Sequence, residues 1–337
     1  MSTHDAADAE GAAGAASGAV TVVIPTLNGE RYLAEVLDAV ARQEFADEVE
    51  TLVIDSGSTD ATLEIVRARP DVRLHEIPNA EFGHGRTRNL GARLARGRIV
   101  VFLTQDATPA DRWWLRELVA PLDEAGVEAG VGRQVPRRHA FPLQKYDILR
   151  VFDTLGPVDR PTIVAAAGRT DAEVQALAFH SDVNAAAHRA FLVDVIPLRD
   201  VAYSEDIAFA RDVLAAGYRT AYAPGGAVRH SNDAGVREYA ARMFDETLGL
   251  RRVGQATPRY SAPGAVLRAV RGSIVDTGRI LRDRDYDLGE RLRWLVVNPA
   301  YHFARWDGLY HGARVDLADR RRIARRSWEA RRRSTMA

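Results

Sequence analysis

Four short runs carry side chains that could do chemistry together. Asp106 ends the apolar run Val100-Val101-Phe102-Leu103 through Thr104 and Gln105, and a lone carboxylate at a strand tip suits a hard, oxygen-seeking cation. Asp55 also ends an apolar run and opens Asp55-Ser-Gly-Ser-Thr-Asp60. A carboxylate there can accept from a base or ribose hydroxyl, although the same residues also make an ordinary turn capping a helix. Glu81-Phe-Gly-His-Gly-Arg-Thr-Arg-Asn89 combines glycines for close backbone approach with Arg86 and Arg88 as phosphate donors at a helix start. A basic loop without a ligand has the same composition. Ser204-Glu205-Asp206 opens a helix with an acidic pair, which favours the positive helix end and is compatible with proton transfer. Further along, His230 follows a strand-like run and could complete a cation site with Asp106.

These groups need a frame. Residues 20–24 form a β-branched run stopped by Pro25, and residues 30–43 carry apolar side chains at helical spacing. Strands are expected at 51–54, 73–77 and 99–103, with helices after Asp60 and over 87–95. Strand and helix in short alternation imply parallel strands with crossovers, an α/β, Rossmann-like, mostly parallel sheet flanked by helices. Ligands of such sheets bind beyond the carboxyl ends of the strands. Thr26-Leu27-Asn28, Asp55 to Ser58 and Thr104 to Asp106 should therefore converge on one cleft.

Three segments are expected: a disordered tail over 1–18, a catalytic domain over 19–235 and a helical, Arg-rich region over 236–337. In the last, helices are predicted over 236–250, 265–281 and 288–297. Its stretch from 294 to 328 mixes Trp, Tyr and Phe with Arg. Two readings stay open there: a basic aromatic helix lying on an anionic membrane, or a solvated charged face over an aromatic core.

Composition excludes several classes. The 337 residues are 46% hydrophobic and 27% charged with zero formal net charge, so no global field points to nucleic acid. The chain has no cysteine, which removes disulfides and thiolate metal sites. No apolar run is long enough to span a bilayer, and a cytoplasmic protein, peripheral on the inner membrane face, is expected. The dinucleotide fingerprint G-x-G-x-x-G is absent, which speaks against a nicotinamide oxidoreductase. A nucleotidyltransferase would want a Gly-rich signature with Lys near the first strand, and VTVVIPTLNGERY has neither.

In their order, Pro25-Thr-Leu-Asn28, Asp55 to Asp60, Arg88-Asn89-Leu-Gly91, Phe102 to Asp106, Glu205-Asp206 and His230 resemble the family-2 inverting glycosyltransferases of the GT-A fold. The forms FGHGRTRN, FLTQDATP and FHSDVNAAAHR look most like the bacterial rhamnosyltransferase branch. The resemblance implies a nucleotide-diphosphate-sugar donor, Mg²⁺ or Mn²⁺, and an acceptor hydroxyl on a glycan or lipid-linked glycan of the cell envelope. It matches Pro25, Leu27 and Asn28 to the nucleotide loop, Asp55 to the base or ribose contact, and Arg88 to a basic position near the nucleotide. Gln105 and Asp106 fall at the donor, Asp106 and His230 at the metal, and Asp206 at the catalytic base with Glu205 as its alternate. Asp182 and Asn184 fall on the acceptor side. Rhamnose from a dTDP donor is the sugar the resemblance favours; a UDP or GDP donor, or a non-catalytic nucleotide-binding protein of this fold, are the alternatives. One departure is plain: Thr104 stands where many members carry the first acid of an Asp-x-Asp metal motif.

Overall fold

The computed structural model describes residues 19–232 and 234–331, so the expected tail over 1–18, Asp233 and the last six residues lie outside it. By its contacts the chain divides into two units. The first takes its described residues from Met1–Gln134, Phe152–Asp200 and Glu205–Arg229; the second takes them from Val135–Val151, Val201–Ser204 and His230–Ala337. The second unit thus reaches back into two stretches that the sequence pattern assigns to the catalytic domain.

The first half of the first unit alternates β1 (Val20–Thr26), α1 (Leu33–Ala41), β2 (Val49–Asp55), α2 (Thr62–Arg67), β3 (Val72–Glu76), α3 (His84–Leu94) and β4 (Ile99–Leu103). β1 runs parallel to β2 from Val20↔Val49 to Thr26↔Asp55, and parallel to β4 from Val20↔Ile99 to Val23↔Phe102. β3 extends the parallel set beside β2. The register brings the carboxyl ends of β1 and β2 level, so Thr26 and Asp55 are direct neighbours. All five residues of β4 are buried. Each such Val, Leu, Ile or Phe contributes about 1.5–3 kcal/mol by leaving water, which anchors the strand whose tip carries Asp106.

Beyond β4 the sheet changes sense. The chain continues through β5 (Thr108–Pro109), α4 (Trp114–Val119), β6 (Val127–Val135), α5 (Pro142–Leu155), β7 (Thr162–Ala165), α6 (Asp171–Leu177), β8 (Asn184–His188), α7 (Glu205–Ala215) and β9 (Arg219–Arg229). The sheet order is β3-β2-β1-β4-β8-β6-β9-β5, with β7 on β9. β8 lies antiparallel between β4 and β6, and both β5 and β7 are antiparallel to β9. The result is a mixed sheet whose parallel half is β3-β2-β1-β4. β8 escapes the sequence pattern because its interior is Ala185-Ala186-Ala187, with none of the β-branched residues that mark the other strands.

The second unit is helical, with α8 (Val236–Arg252), α9 (Ala262–Arg282), α10 (Leu288–Gly312) and α11 (Arg320–Arg326). α10 continues through Pro299, well past the expected end at 297. Proline removes one hydrogen bond, and the turns beyond it are held by packing. An added Cβ at Gly308 would lie 2.5 Å from Ala240 O and 2.6 Å from Met243 Cβ, so α10 lies directly on α8. Between α9 and α10, buried Asp276 meets His302 Nε2 at 2.9 Å. The sole lysine, Lys145, is buried and contacts both Asp283 and Asp285 at 2.8 Å. Trp294 and Tyr301 belong to the hydrophobic core of this unit. Those two aromatics, expected on a lipid-facing surface by one reading, are therefore interior. Among the described residues no helix is long and apolar enough to cross a membrane.

Candidate active site

The three polar strand tips are stitched together. Asn28, exposed and with φ 51°, takes the left-handed turn that brings the chain off β1. Its N–H donates to Ser58 Oγ at 2.8 Å, and its Oδ1 accepts from Thr59 N at 2.8 Å. Gly29 N donates to Thr62 Oγ1 at 2.7 Å. Asp55 is buried, and its carboxylate accepts from Thr26 Oγ1 at 2.7 Å, Ser58 Oγ at 2.6 Å, Gly57 N at 2.9 Å and Ser58 N at 2.8 Å. Four internal bonds saturate a carboxylate, so Asp55 builds the loop against which a ligand would rest.

Gln105 performs the equivalent task for β4. Its Oε1 accepts from Leu27 N at 2.9 Å and its Nε2 donates to Leu27 O at 3.2 Å, so one amide imitates a strand partner for the β1 tip. Gly29 is required beside it, because an added Cβ would fall 2.6 Å from Gln105 Oε1. Gly29→Ala should therefore free the Gln105 side chain and leave the fold intact. With two hydrogen bonds lost at about 1 kcal/mol each, unfolding free energy should fall by about 1–3 kcal/mol with the secondary structure retained. Urea unfolding with circular dichroism measures this, and an unchanged stability would mean that the clamp does not hold the β1 tip.

Asp106 follows at the β4 tip, partly exposed. Among the described residues no three His, Asp or Glu side chains gather as a metal cage. A single hard oxygen donor of this kind fits a cation that completes its shell with phosphate and water. His230, the other sequence candidate for the metal, belongs to the second unit, where its N–H donates to Val135 O at 2.9 Å.

A second cluster is buried. β8 starts where β4 ends: Leu103 pairs with Asn184, and Thr104 N donates to Val183 O at 3.1 Å. The residues just ahead of β8 consequently lie alongside the Asp106 turn. There Asp182 Oδ1 lies 3.6 Å from His180 Nε2, and its Oδ2 lies 3.5 Å from Arg88 Nε. Arg88 Nη1 also meets Glu205 Oε1 at 3.2 Å and His84 O at 3.1 Å. Asp206, next along α7, accepts from Ile207 N at 2.8 Å.

One guanidinium thus serves a neighbourhood of three carboxyl groups, and all three titrate high. Burial pushes Glu205 up to about 8, reinforced by the Asp206 charge and opposed by Arg88. Burial pushes Asp206 up to about 6, with Asp182 adding to the rise. Burial raises Asp182 as well, against the pull of Arg88. The same burial, with Arg88 adding to it, drives His180 down to about 4, so the ring is neutral at pH 7. Asp182 and Glu205 are buried and Asp206 is half-buried, and a single positive charge cannot hold all three ionised at once. Of the two acids on α7, Glu205 therefore keeps its proton to the higher pH, and Asp206 is the one ionised at neutrality.

Several sequence-predicted residues sit differently from their expected roles. Arg88, expected near the nucleotide, is buried inside the carboxyl cluster and ties α3 to α7. Arg86 is exposed and paired with Asp200 at 3.1 Å. Asn184, expected on the acceptor side, is wholly buried. It accepts from Trp114 Nε1 at 2.9 Å and donates to Gly226 O at 2.7 Å, which spends it on the sheet. Asp182 likewise faces Arg88 and His180 instead of an open surface. Pro25 and Leu27 remain at the β1 tip as expected.

His180 is the residue that sequence reading missed. Its signal was the same as elsewhere, polar residues bordering a small apolar run, but β8 is antiparallel and carries them at its start. Arg88 could also have been placed: it shares the inward row of α3 with Gly91 and Ala92, at spacings of three and four. Gly91 lets that row touch the sheet, since its Cβ would lie 2.5 Å from Val23 Cγ1. Asn89 exchanges two bonds with Leu198, at 2.8 and 3.1 Å.

Residues 21–191 match the model of the glycosyl transferase family 2 domain, half of the chain. The chain belongs to that family. This glycosyltransferase is 32% identical over 232 residues to the O-antigen chain rhamnosyltransferase RfbN of Salmonella typhimurium, covering 67% of this chain and 70% of the relative. It is 30% identical over 229 residues to the O-antigen chain rhamnosyltransferase WbaN of Salmonella anatum, with the same coverage. Its fold is similar to that of the mannosyltransferase PcManGT from Pyrobaculum calidifontis, solved with GDP-Man and Mn²⁺. The TM-score is 0.51 at 22% identity, covering 94% of this chain and 83% of that one. The GT-A glycosyltransferase fold follows, and the enzyme is a glycosyltransferase.

Proposed function

We propose that this enzyme transfers rhamnose from a dTDP donor to a hydroxyl of a glycan or lipid-linked glycan in cell-envelope polysaccharide synthesis, with Asp206 as the base. The carrying observation for the base is the unequal state of the α7 acids: Glu205 is turned onto Arg88, while Asp206 is pushed only to about 6. A base poised near the working pH is ionised when needed and still accepts a proton readily. The sugar and acceptor rest on similarity to two rhamnosyltransferases of O-antigen chains.

In this reading Asp206 takes the acceptor hydroxyl proton as the oxygen attacks the anomeric carbon. The bond from that carbon to the diphosphate breaks, and the nucleoside diphosphate leaves with the electron pair. The β1 and β2 tips hold the nucleotide, with Asn28 and the Asp55 loop as its floor. Asp106 would hold a divalent cation, Mg²⁺ or Mn²⁺, whose charge offsets that developing on the departing diphosphate. Asp182, Arg88 and Glu205 set the potential at Asp206, and His180, neutral, lies against Asp182.

The direct test is nucleoside diphosphate release from dTDP-rhamnose, with UDP- and GDP-sugars as controls and lipid-linked glycan as acceptor. Release that needs the acceptor and prefers dTDP-rhamnose is expected. Binding of a donor without transfer to any acceptor would favour a non-catalytic nucleotide-binding protein. The pH profile tests the base separately. The Asp206 carboxylate must be ionised, so kcat/KM should rise about tenfold per pH unit below about 6 and level above it. A profile flat from pH 5 to 8 would remove Asp206 from the role.

A further inference from the structure

The hairpin of α9 and α10 leaves an apolar surface uncovered. On α9, Leu267 is 69% and Ile274 68% exposed, and Val270 and Leu281 extend the same row at spacings of three, four and seven. On α10, Leu288, Leu292 and Val296 are 72%, 58% and 79% exposed, one turn apart. The two helices are packed together through Asp276 and His302, so both exposed rows stand on one structural element. Scattered exposed leucines are ordinary, but two continuous rows on adjoining helices are not.

The charge beside the rows says what covers them. α9 carries Arg268, Arg271, Arg279 and Arg282, all exposed, against a single acid, Asp276, which is buried. By helical spacing Arg271 and Arg282 border the row of Leu267, Ile274 and Leu281. The acids of the connecting turn are engaged elsewhere: Asp283 and Asp285 contact Lys145, and Asp287 caps α10. A second copy of this chain meeting the same face would set arginine against arginine. An anionic surface with an apolar interior meets both the rows and their rim.

We propose that the outward face of α9 and α10 docks on the surface of an anionic lipid bilayer, with the leucine and isoleucine rows in the acyl boundary and the α9 arginines at the headgroups. The surface overlaps the aromatic stretch 294–328 that composition suggests only at Val296, and the inference is independent of the sugar transferred.

Sedimentation of the full chain with vesicles tests it. Binding should be at least tenfold tighter to phosphatidylglycerol–phosphatidylcholine vesicles than to phosphatidylcholine alone, and should weaken with salt. Leu267→Gln with Ile274→Gln should reduce binding tenfold or more. Arg271→Gln should reduce it about fivefold. All three positions are exposed, so circular dichroism and melting temperature should be unchanged. No binding to anionic vesicles, or variants that bind like the wild type, would overturn the proposal. So would a concentration-dependent dimer, abolished by Leu267→Gln and Ile274→Gln, with no vesicle binding: the face would then belong to a second copy.

Discussion

Asp206→Asn should lower the rate of sugar transfer by about 10²–10⁴-fold, the usual worth of a general base, while donor affinity stays within a few fold. Asn keeps the volume of the side chain and can still accept from Ile207 N, so the start of α7 is preserved. What is lost is the proposed site for the acceptor proton. The same substitution should make the protein more stable at neutral pH. Asp206 titrates near 6 in the fold against 3.8 ordinarily, so the folded chain binds this proton more tightly than the unfolded chain. Its contribution is therefore fully present below pH 3.8 and is lost as pH rises through about 6. The neutral Asn escapes that loss. The melting temperature of the variant minus that of the wild type should be near zero at pH 4 and positive at pH 7.5. Glu205→Gln is the counterpart, since Glu205 already holds its proton at neutrality, and it should keep most of the activity. Near-normal turnover in Asp206→Asn, or a dead Glu205→Gln with a normal Asp206→Asn, would reverse the assignment of the two acids.

Arg88→Met should destabilise the fold, approaching about 3–5 kcal/mol where the carboxyl groups it faces are ionised, the usual effect of removing one partner from a buried charge pair. Arg88 is 6% exposed and reaches both Asp182 and Glu205, from segments more than ninety residues away in sequence. Methionine fills much of the same space, so lost charge dominates over lost packing. Without the guanidinium the two carboxyl groups hold their protons more strongly still, so the penalty should grow as pH rises through about 8, where wild-type Glu205 ionises onto Arg88. Urea unfolding at pH 7 and pH 9 measures this. A cost below about 1 kcal/mol, or one independent of pH, would show that the cluster is not held by charge.

The parallel half of the sheet was legible because each strand is a continuous β-branched run. Residues 99–103 emerge with the bounds expected from sequence, and the tips of β1, β2 and β4 do meet. The function of each tip residue was less legible. Asp55 and Gln105 look like ligand contacts because polar residues follow apolar strands, yet both spend their hydrogen bonds on neighbouring loops. Type and position announce a polar strand end without saying which bonds it already makes. The carboxyl cluster was harder still: Arg88, His180, Asp182 and Glu205 meet only through an antiparallel strand inserted at the middle of the sheet. No local pattern encodes that insertion, and the alanines of β8 leave almost no trace of it. Gln105 also accounts for part of the departure at Thr104, since the β4 turn closes on Leu27 through an amide, and a neighbouring carboxylate is not needed to shape it.

The place of β8 between β4 and β6 also governs how the chain can be made. During synthesis β4 emerges with β1 on one side, while its other edge waits about eighty residues for Asn184–His188. Through that interval the edge of Ile99-Val100-Val101-Phe102-Leu103 offers unpaired backbone groups on an entirely apolar strand, the kind of edge that recruits foreign strands. In the native sheet β6 lies between β8 and β9 and does not pair with β4. The acids of α7, one of which is proposed as the base, emerge later still. A nascent chain that stalls before residue 184 therefore carries an adhesive edge and lacks both acids.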